Sequence, residues 1–271
     1  PRQMTMIAVL AAGVGTCLAI LAAHLRTQRK LRRALERLDS SASELERLQH
    51  AFTRFAPEAI VERIASSGIP NVGQRKEVTV LFADLIGFTA TCERVDPGTL
   101  VRILNGYFER MTRAITSHQG HISTLIGDGI LALFGALESN PWQSDDAVRC
   151  ALAMRGELSE YNRELAAENL PTLAFGIGLH RGTGVAGLVG SSALMQFTVV
   201  GSVVNVAARV QELTRLHRVD VLLTRPVKDQ LDPSFPLQEL ARSELRGLSE
   251  PVETFALGGA NPAKIPDHYS V

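Results

Sequence analysis

The spacing of apolar residues changes period several times along the chain, and each change marks an element. Met4 to Leu25 is apolar apart from glycines, threonines and His24. About twenty such residues can span a bilayer as a helix. A signal-peptide core and a buried helix are the alternatives, but the run is long for a signal core and lacks a convincing cleavage site. Leu31, Leu35, Leu38, Ala42, Leu45, Gln49 and Phe52 then recur at alternating steps of four and three. This is a heptad seam with a polar break at Gln49, which predicts a short parallel stalk or a single amphipathic helix lying on the domain. Phe55 to Ile64 reads as another short helix, and Ser66 to Gly73 keeps no period, which sets a domain boundary.

Beyond that boundary the pattern becomes that of a mixed domain. Val78 to Ala83 is a short apolar run with strand character. Leu100, Ile103, Leu104, Tyr107, Phe108, Met111 and Ile115 follow helical spacing, with Asp96-Pro97 as the start signal and Gly120 as the stop. His121 to Ile126 and Ile130 to Phe134 read as strands joined by Gly127-Asp128-Gly129. Trp142 to Ala167 reads as a second helix, and Leu173 to His180 as a strand after Pro171. Strand, helix, strand, strand, helix, strand is the split βαβ order of an α+β, ferredoxin-like domain. Val185 to Val189 and Gln196 to Val200 add strands. Gly201 opens a further helix, and Val252 to Leu257 forms the last strand.

Composition narrows the function. The 271 residues carry 28 basic and 28 acidic side chains, so nothing in the net charge attracts nucleic acid. The three cysteines, Cys17, Cys92 and Cys150, have neither metal nor disulfide spacing and read as reduced and structural. Arg26, Arg29, Lys30, Arg32 and Arg33 follow the apolar run directly, which places the rest of the chain on the cytoplasmic side of a plasma (inner) membrane. The sequence opens on Pro1 rather than Met, so a longer protein is expected.

Two carboxylates stand where chemistry is expected. Asp84 ends the first strand and Asp128 sits in the glycine hairpin after the second. A crossover helix makes those strands run parallel, so both carboxylates should reach one edge of the sheet. Each could simply shape its turn. Together they can hold Mg²⁺, which keeps waters and substrate phosphates as its other ligands, and two such ions can assist displacement at phosphorus. Asn205 and Arg209 lie four apart and share a helical face, an amide and a guanidinium able to take ribose and phosphate oxygens or to face solvent. The glycine-rich run Gly182 to Gly190 has no Walker lysine and reads as strand and turn. His180 reads as packed or hydrogen-bonded.

Four segments, FADLIGFT (Phe82–Thr89), LIGDGILALFG (Leu125–Gly135), FTVVGSVVNVAAR (Phe197–Arg209) and LRGLSEPV (Leu245–Val252), together resemble the class III adenylyl/guanylyl cyclase catalytic domain. The resemblance runs from Lys76 to Leu257, and the apolar helix and stalk resemble bacterial membrane-linked members. The expected layout is a transmembrane helix at 1–26, a coiled-coil helix and linker at 27–73, the catalytic domain at 74–258 and a tail at 259–271.

The resemblance implies head-to-tail homodimers with composite sites. It makes Asp84, Asp128 and the Leu85 carbonyl ligands of two Mg²⁺ or Mn²⁺ ions, and gives the N–H groups of Gly87, Phe88 and Thr89 the β- and γ-phosphates. Asn205 would orient the ribose, Arg209 would stabilise charge on the α-phosphate, and Arg246 would replace a triphosphate-binding lysine. The substrate implied is ATP.

Thr124 departs from the lysine that usually reads adenine, whereas Thr198 fits one bacterial subclass, so GTP or both nucleotides remain open. A non-catalytic nucleotide-sensing or dimerisation module is the alternative from another class. The set Asp84, Asp128, Asn205 and Arg209 argues against it. Diguanylate cyclases and polymerase palms share the core, but their Gly-Gly-acidic-acidic motif is absent.

Overall fold

The computed structural model describes residues 73–191, 195–244 and 251–258. All of them belong to the compact unit Glu62–Val271. The expected transmembrane helix and stalk lie outside the described residues, as do Arg246 and the tail. Among the described residues no helix is long and apolar enough to cross a membrane.

The elements follow in the order β1 (Gln74–Leu85), α1 (Phe88–Cys92), α2 (Pro97–Ser117), β2 (His121–Ile126), β3 (Gly129–Phe134), α3 (Gln143–Ala167), β4 (Phe175–Gly190), β5 (Met195–Val200), α4 (Ser202–His217), β6 (Val221–Thr224), α5 (Arg225–Lys228), β7 (Leu237–Glu239) and β8 (Thr254–Leu257). The strands form one sheet in the order β2-β3-β1-β4-β6-β8-β7, with β5 paired to β4. β1 lies antiparallel to both β3 and β4. β3 is antiparallel to β2, so β1 and β2 run the same way and the β2–β3 hairpin lies at the end of β1.

Alternation along β1 divides the core between the two faces of the sheet. Leu81, Ala83 and Leu85 pack against α2 and α3 with Ile103, Met111, Phe134 and Met154. Val78 and Val80 face the other way, with Val199 of β5 and Val203 and Ala207 of α4. The α2 start matches its sequence signal, because Asp96 accepts a hydrogen bond from Thr99 N at 3.0 Å and Pro97 opens the helix.

Several boundaries differ from the sequence reading. β1 begins at Gln74, because its polar first residues pair with Thr183 to Ala186 of β4. The two strands expected at Leu173 to His180 and Val185 to Val189 are one strand, with no turn between them. The glycines inside it mark close packing rather than a break. A Cβ at Gly178 would overlap the backbone of α4 at Ala207 and Gln211, and one at Gly176 would overlap Thr214 Oγ1. Helix α4 therefore lies directly on β4. β6, α5 and β7 were not foreseen, and β8 starts at Thr254, with Val252 held by a single bridge to Ser243.

Candidate functional site

Asp84 pairs with Gly176 across β1 and β4, on the face covered by α4. The next element of the site is a two-residue hairpin loop, because β2 ends at Ile126 and β3 begins at Gly129. Gly127 takes a left-handed φ of 61° and Asp128 does not, the pattern of a II′ turn. This brings Asp128 against Asp84, as the sequence predicted. Burial and then the Asp128 charge hold the Asp84 carboxyl above its ordinary range, with Arg215 acting in the opposite sense. Gly129 keeps the space open, since a Cβ there would lie 3.4 Å from Asp84 Oδ1 and 3.1 Å from the Ile126 carbonyl.

Beneath the pair is Tyr107 of α2, fully buried, with a hydroxyl that has no hydrogen-bond partner among the described residues. Burial raises its phenol, and the charges of Asp128 and Asp84 raise it further, which places it within electrostatic reach of both. Above the pair is Arg215, in the last turn of α4. Its Nη2 donates to Asp84 Oδ2 at 3.0 Å and to the Leu85 carbonyl at 3.3 Å. Neither Tyr107 nor Arg215 was singled out from the sequence. Tyr107 looked like one more apolar-face residue of its helix, and Arg215 falls outside the Asn205/Arg209 spacing.

The donor set fits a divalent cation. Two carboxylates and a carbonyl are hard oxygen ligands of the kind Mg²⁺ and Mn²⁺ take. A guanidinium already rests on two of these three groups, so the position is one where positive charge is stable. Among the described residues no group of three or more acidic, histidine or cysteine side chains is placed to hold a metal ion. Protein ligands would therefore leave coordination positions for water and phosphate.

After Leu85 the chain turns sharply. Ile86 N donates to Ala174 O at 2.7 Å, and Gly87 adopts a left-handed φ of 69° as the N-cap of α1. No side chain caps this helix. The first amides of a helix have no partner within it, so Phe88 and Thr89 begin α1 with N–H groups free of intrahelical bonds.

Thr198 is held by Ser123, the residue before Thr124. A bulge in β2 lies between Ile122 and Thr124. It leaves Ser123 buried, with its Oγ donating to the Phe197 carbonyl at 3.1 Å and lying within hydrogen-bond distance, 2.9 Å, of the Thr198 hydroxyl. Gln196 Nε2 donates to the Ser123 carbonyl. The sequence reading missed Ser123 and Gln196, because a bulge has no signature in a six-residue strand.

Asn205 and Arg209 form a further group. Asn205 is exposed in the first turns of α4, and Arg209 is half-buried one turn on. Ten residues of helix separate Asn205 from Arg215, which is about 15 Å along the axis. The chain thus brings Asp84 and Asp128 together but holds Asn205 well away from the end of α4 that touches Asp84.

Comparison with known proteins adds the family. The description "Adenylate and Guanylate cyclase catalytic domain" fits residues 71–259. The chain is 33% identical over 229 residues to an adenylate cyclase of Anabaena cylindrica, with 80% of the chain and 45% of that protein aligned. It is 29% identical over 210 residues to adenylate cyclase 1 of Rhizobium meliloti, with 77% of the chain and 32% of that protein aligned. The chain therefore spans less than half the length of these relatives. The crystal structure of the guanylyl cyclase Cya2 superimposes with a TM-score of 0.63 at 30% identity, over 71% of this chain and 96% of that one.

Proposed function

The chain belongs to the adenylate and guanylate cyclase catalytic domain family, and from that premise we propose that it converts ATP to 3′,5′-cyclic AMP and pyrophosphate. One observation carries the reading. The fold draws Asp84 and Asp128, distant in sequence, onto one cation-compatible position beside the Leu85 carbonyl.

In this reading Asp84, Asp128 and the Leu85 carbonyl hold two Mg²⁺ or Mn²⁺ ions. Bound ions neutralise the triphosphate and make the ribose 3′-hydroxyl a better nucleophile. The start of α1 receives the β- and γ-phosphates through the N–H groups of Gly87, Phe88 and Thr89. Asn205 orients the ribose so that its 3′-oxygen lies in line with the α-phosphorus. Arg209 stabilises the charge that grows on the α-phosphate oxygens, where a fixed cation contributes most. The new bond joins O3′ to the α-phosphorus as the hydroxyl proton leaves to solvent, and the bond from the α-phosphorus to the bridging β-phosphate oxygen breaks to release pyrophosphate. Arg246 joins the triphosphate contacts.

Asn205 stands about 15 Å of helix from the residue that touches Asp84, which supports a site shared between two chains. A two-fold homodimer then holds two equivalent sites, each pairing the carboxylates of one protomer with Asn205 and Arg209 of its partner. The apolar run Met4 to Leu25 and the basic residues after it support anchoring in the plasma membrane, with this domain in the cytoplasm.

A second reading, cyclic GMP synthesis, is favoured by a specific feature. Thr124, Ser123 and Thr198 offer hydroxyls, which donate or accept equally, in place of a charged adenine reader. The experiment is to incubate the full chain with ATP or GTP and Mg²⁺ or Mn²⁺ and to identify the product by chromatography and mass spectrometry. Cyclic AMP supports the first reading and cyclic GMP the second. Recovery of unchanged nucleotide under all conditions overturns both.

A further inference from the structure

Arg215 occupies two of the oxygens that would bind a divalent cation. Its Nη2 alone makes both contacts, to Asp84 Oδ2 and the Leu85 carbonyl, so the guanidinium is not locked in a two-pronged grip on the carboxylate. The side chains are 52% and 28% exposed, and an ion pair of that kind is weak and readily exchanged.

The backbone beneath it is not free to move. Thr214 is fully buried against Gly176, the residue paired with Asp84. The α4 backbone is equally tight over Gly178. The guanidinium can swing, but its Cα cannot withdraw, so a positive charge stays beside the cation position whatever fills it.

A divalent cation and a guanidinium cannot share the same two oxygens. A metal arriving alone would displace Arg215 and leave two like charges adjacent in a partly desolvated site. A metal arriving with a polyphosphate supplies phosphate oxygens, and guanidinium matches phosphate in geometry as well as charge.

We propose that Arg215 is a polyphosphate-binding residue that waits on the cation position, opposes binding of the bare metal, and transfers to the phosphates when metal and nucleotide enter together. This rests on the cyclase reading and extends it. The residue selects the metal–polyphosphate complex over the free metal. Helix α4 then serves two purposes at different places, because Arg215 lies about 120° around the helix from Arg209. The plain alternative is a surface cation that only complements the C-terminal dipole of α4, alongside His217.

The test uses the full chain and two probes that cannot be cyclised: Mn²⁺ alone, and Mn²⁺ with 3′-deoxy-ATP. Affinities are read by titration calorimetry and by the electron paramagnetic resonance of free Mn²⁺. Arg215→Met keeps the apolar stem and removes the charge. It should bind Mn²⁺ alone about threefold more tightly and the Mn²⁺–3′-deoxy-ATP complex about tenfold more weakly. Arg215→Lys should recover most of the second affinity. The opposite directions are the signature, since loss of a merely structural contact moves both affinities the same way or neither. Unchanged affinities, or changes of the same sign, overturn the assignment while leaving cyclisation by the wild type intact. A wild-type chain that binds neither probe overturns the cyclase reading and this assignment with it.

Discussion

Gly176 lies under Thr214 with no room between them for a methyl group, and the same glycine is the strand partner of Asp84. The close approach of helix to strand thus fixes the distance from the end of α4 to the first carboxylate. Gly176→Ala should cost about 1–3 kcal/mol of stability, the range for overpacking a tight contact. Urea denaturation measures it. The helix end should also lift, so the affinity for metal–nucleotide should change in this variant and not in Gly156→Ala, where a Cβ has open space. Equal stability of the wild type and Gly176→Ala would mean that α4 does not bear on β4 at that point.

Asp84→Ala and Asp128→Ala should each reduce product formation by at least 10²-fold. The ions that the proposed site would hold supply charge stabilisation that no neighbouring side chain replaces. Both variants should fold, because each removes one half of a mutually repelling pair. A product assay beside a thermal melt checks this. Near-normal turnover in either variant would remove the paired carboxylates from the mechanism.

Much of this arrangement was legible in the sequence, and what was not has physical reasons. The convergence of Asp84 and Asp128 followed from strand order alone, because a crossover helix fixes strand direction. The N-cap and apolar stripe of α2 were equally plain. The unbroken β4 was hidden because its glycines look like turn residues, whereas they are sites of close helix packing. β6 has four residues and β7 three, too short for a period to register. Arg215 could not be read at all. Its role depends on the contact between Thr214 and Gly176, residues far apart in sequence and unremarkable in type.

The proposed base pocket offers a test of specificity. Thr124→Lys restores an ammonium group at the position the cyclase reading gives to adenine recognition, where a charge-assisted hydrogen bond is worth about 1.5–3 kcal/mol. The ratio of kcat/KM for ATP over GTP should rise about tenfold or more. A ratio that does not move would show that base selection is made by other residues.

Two histidines should set the acid limit of stability. Burial pushes His121 and His180 down to about 4 from an ordinary 6.5, and His180 Nδ1 lies 2.9 Å from Thr224 Oγ1. Between those values the unfolded chain binds protons that the folded chain excludes, so stability falls as pH drops below 6.5 and levels off below about 4. Each histidine should cost about 2 kcal/mol between pH 7.5 and pH 5. Denaturant titrations at the two values should show a smaller difference in His180→Gln. An unchanged difference would mean that His180 takes up its proton in the folded state.

The most direct measurement of the proposed shared site is complementation between two inactive chains. One carries Asp84→Ala, and the other carries Asn205→Ala with Arg209→Ala. Each homodimer lacks half of the chemistry at both sites and should be nearly inactive. In the mixed dimer one site combines both defects, and the other is wild type in every named residue. With free subunit exchange about half of the dimers are mixed, and cyclic nucleotide formation should return to roughly a quarter of the wild-type rate. If exchange is confirmed by labelled subunits and no activity returns, the carboxylates and the Asn205–Arg209 pair do not meet across an interface, and the account is contradicted.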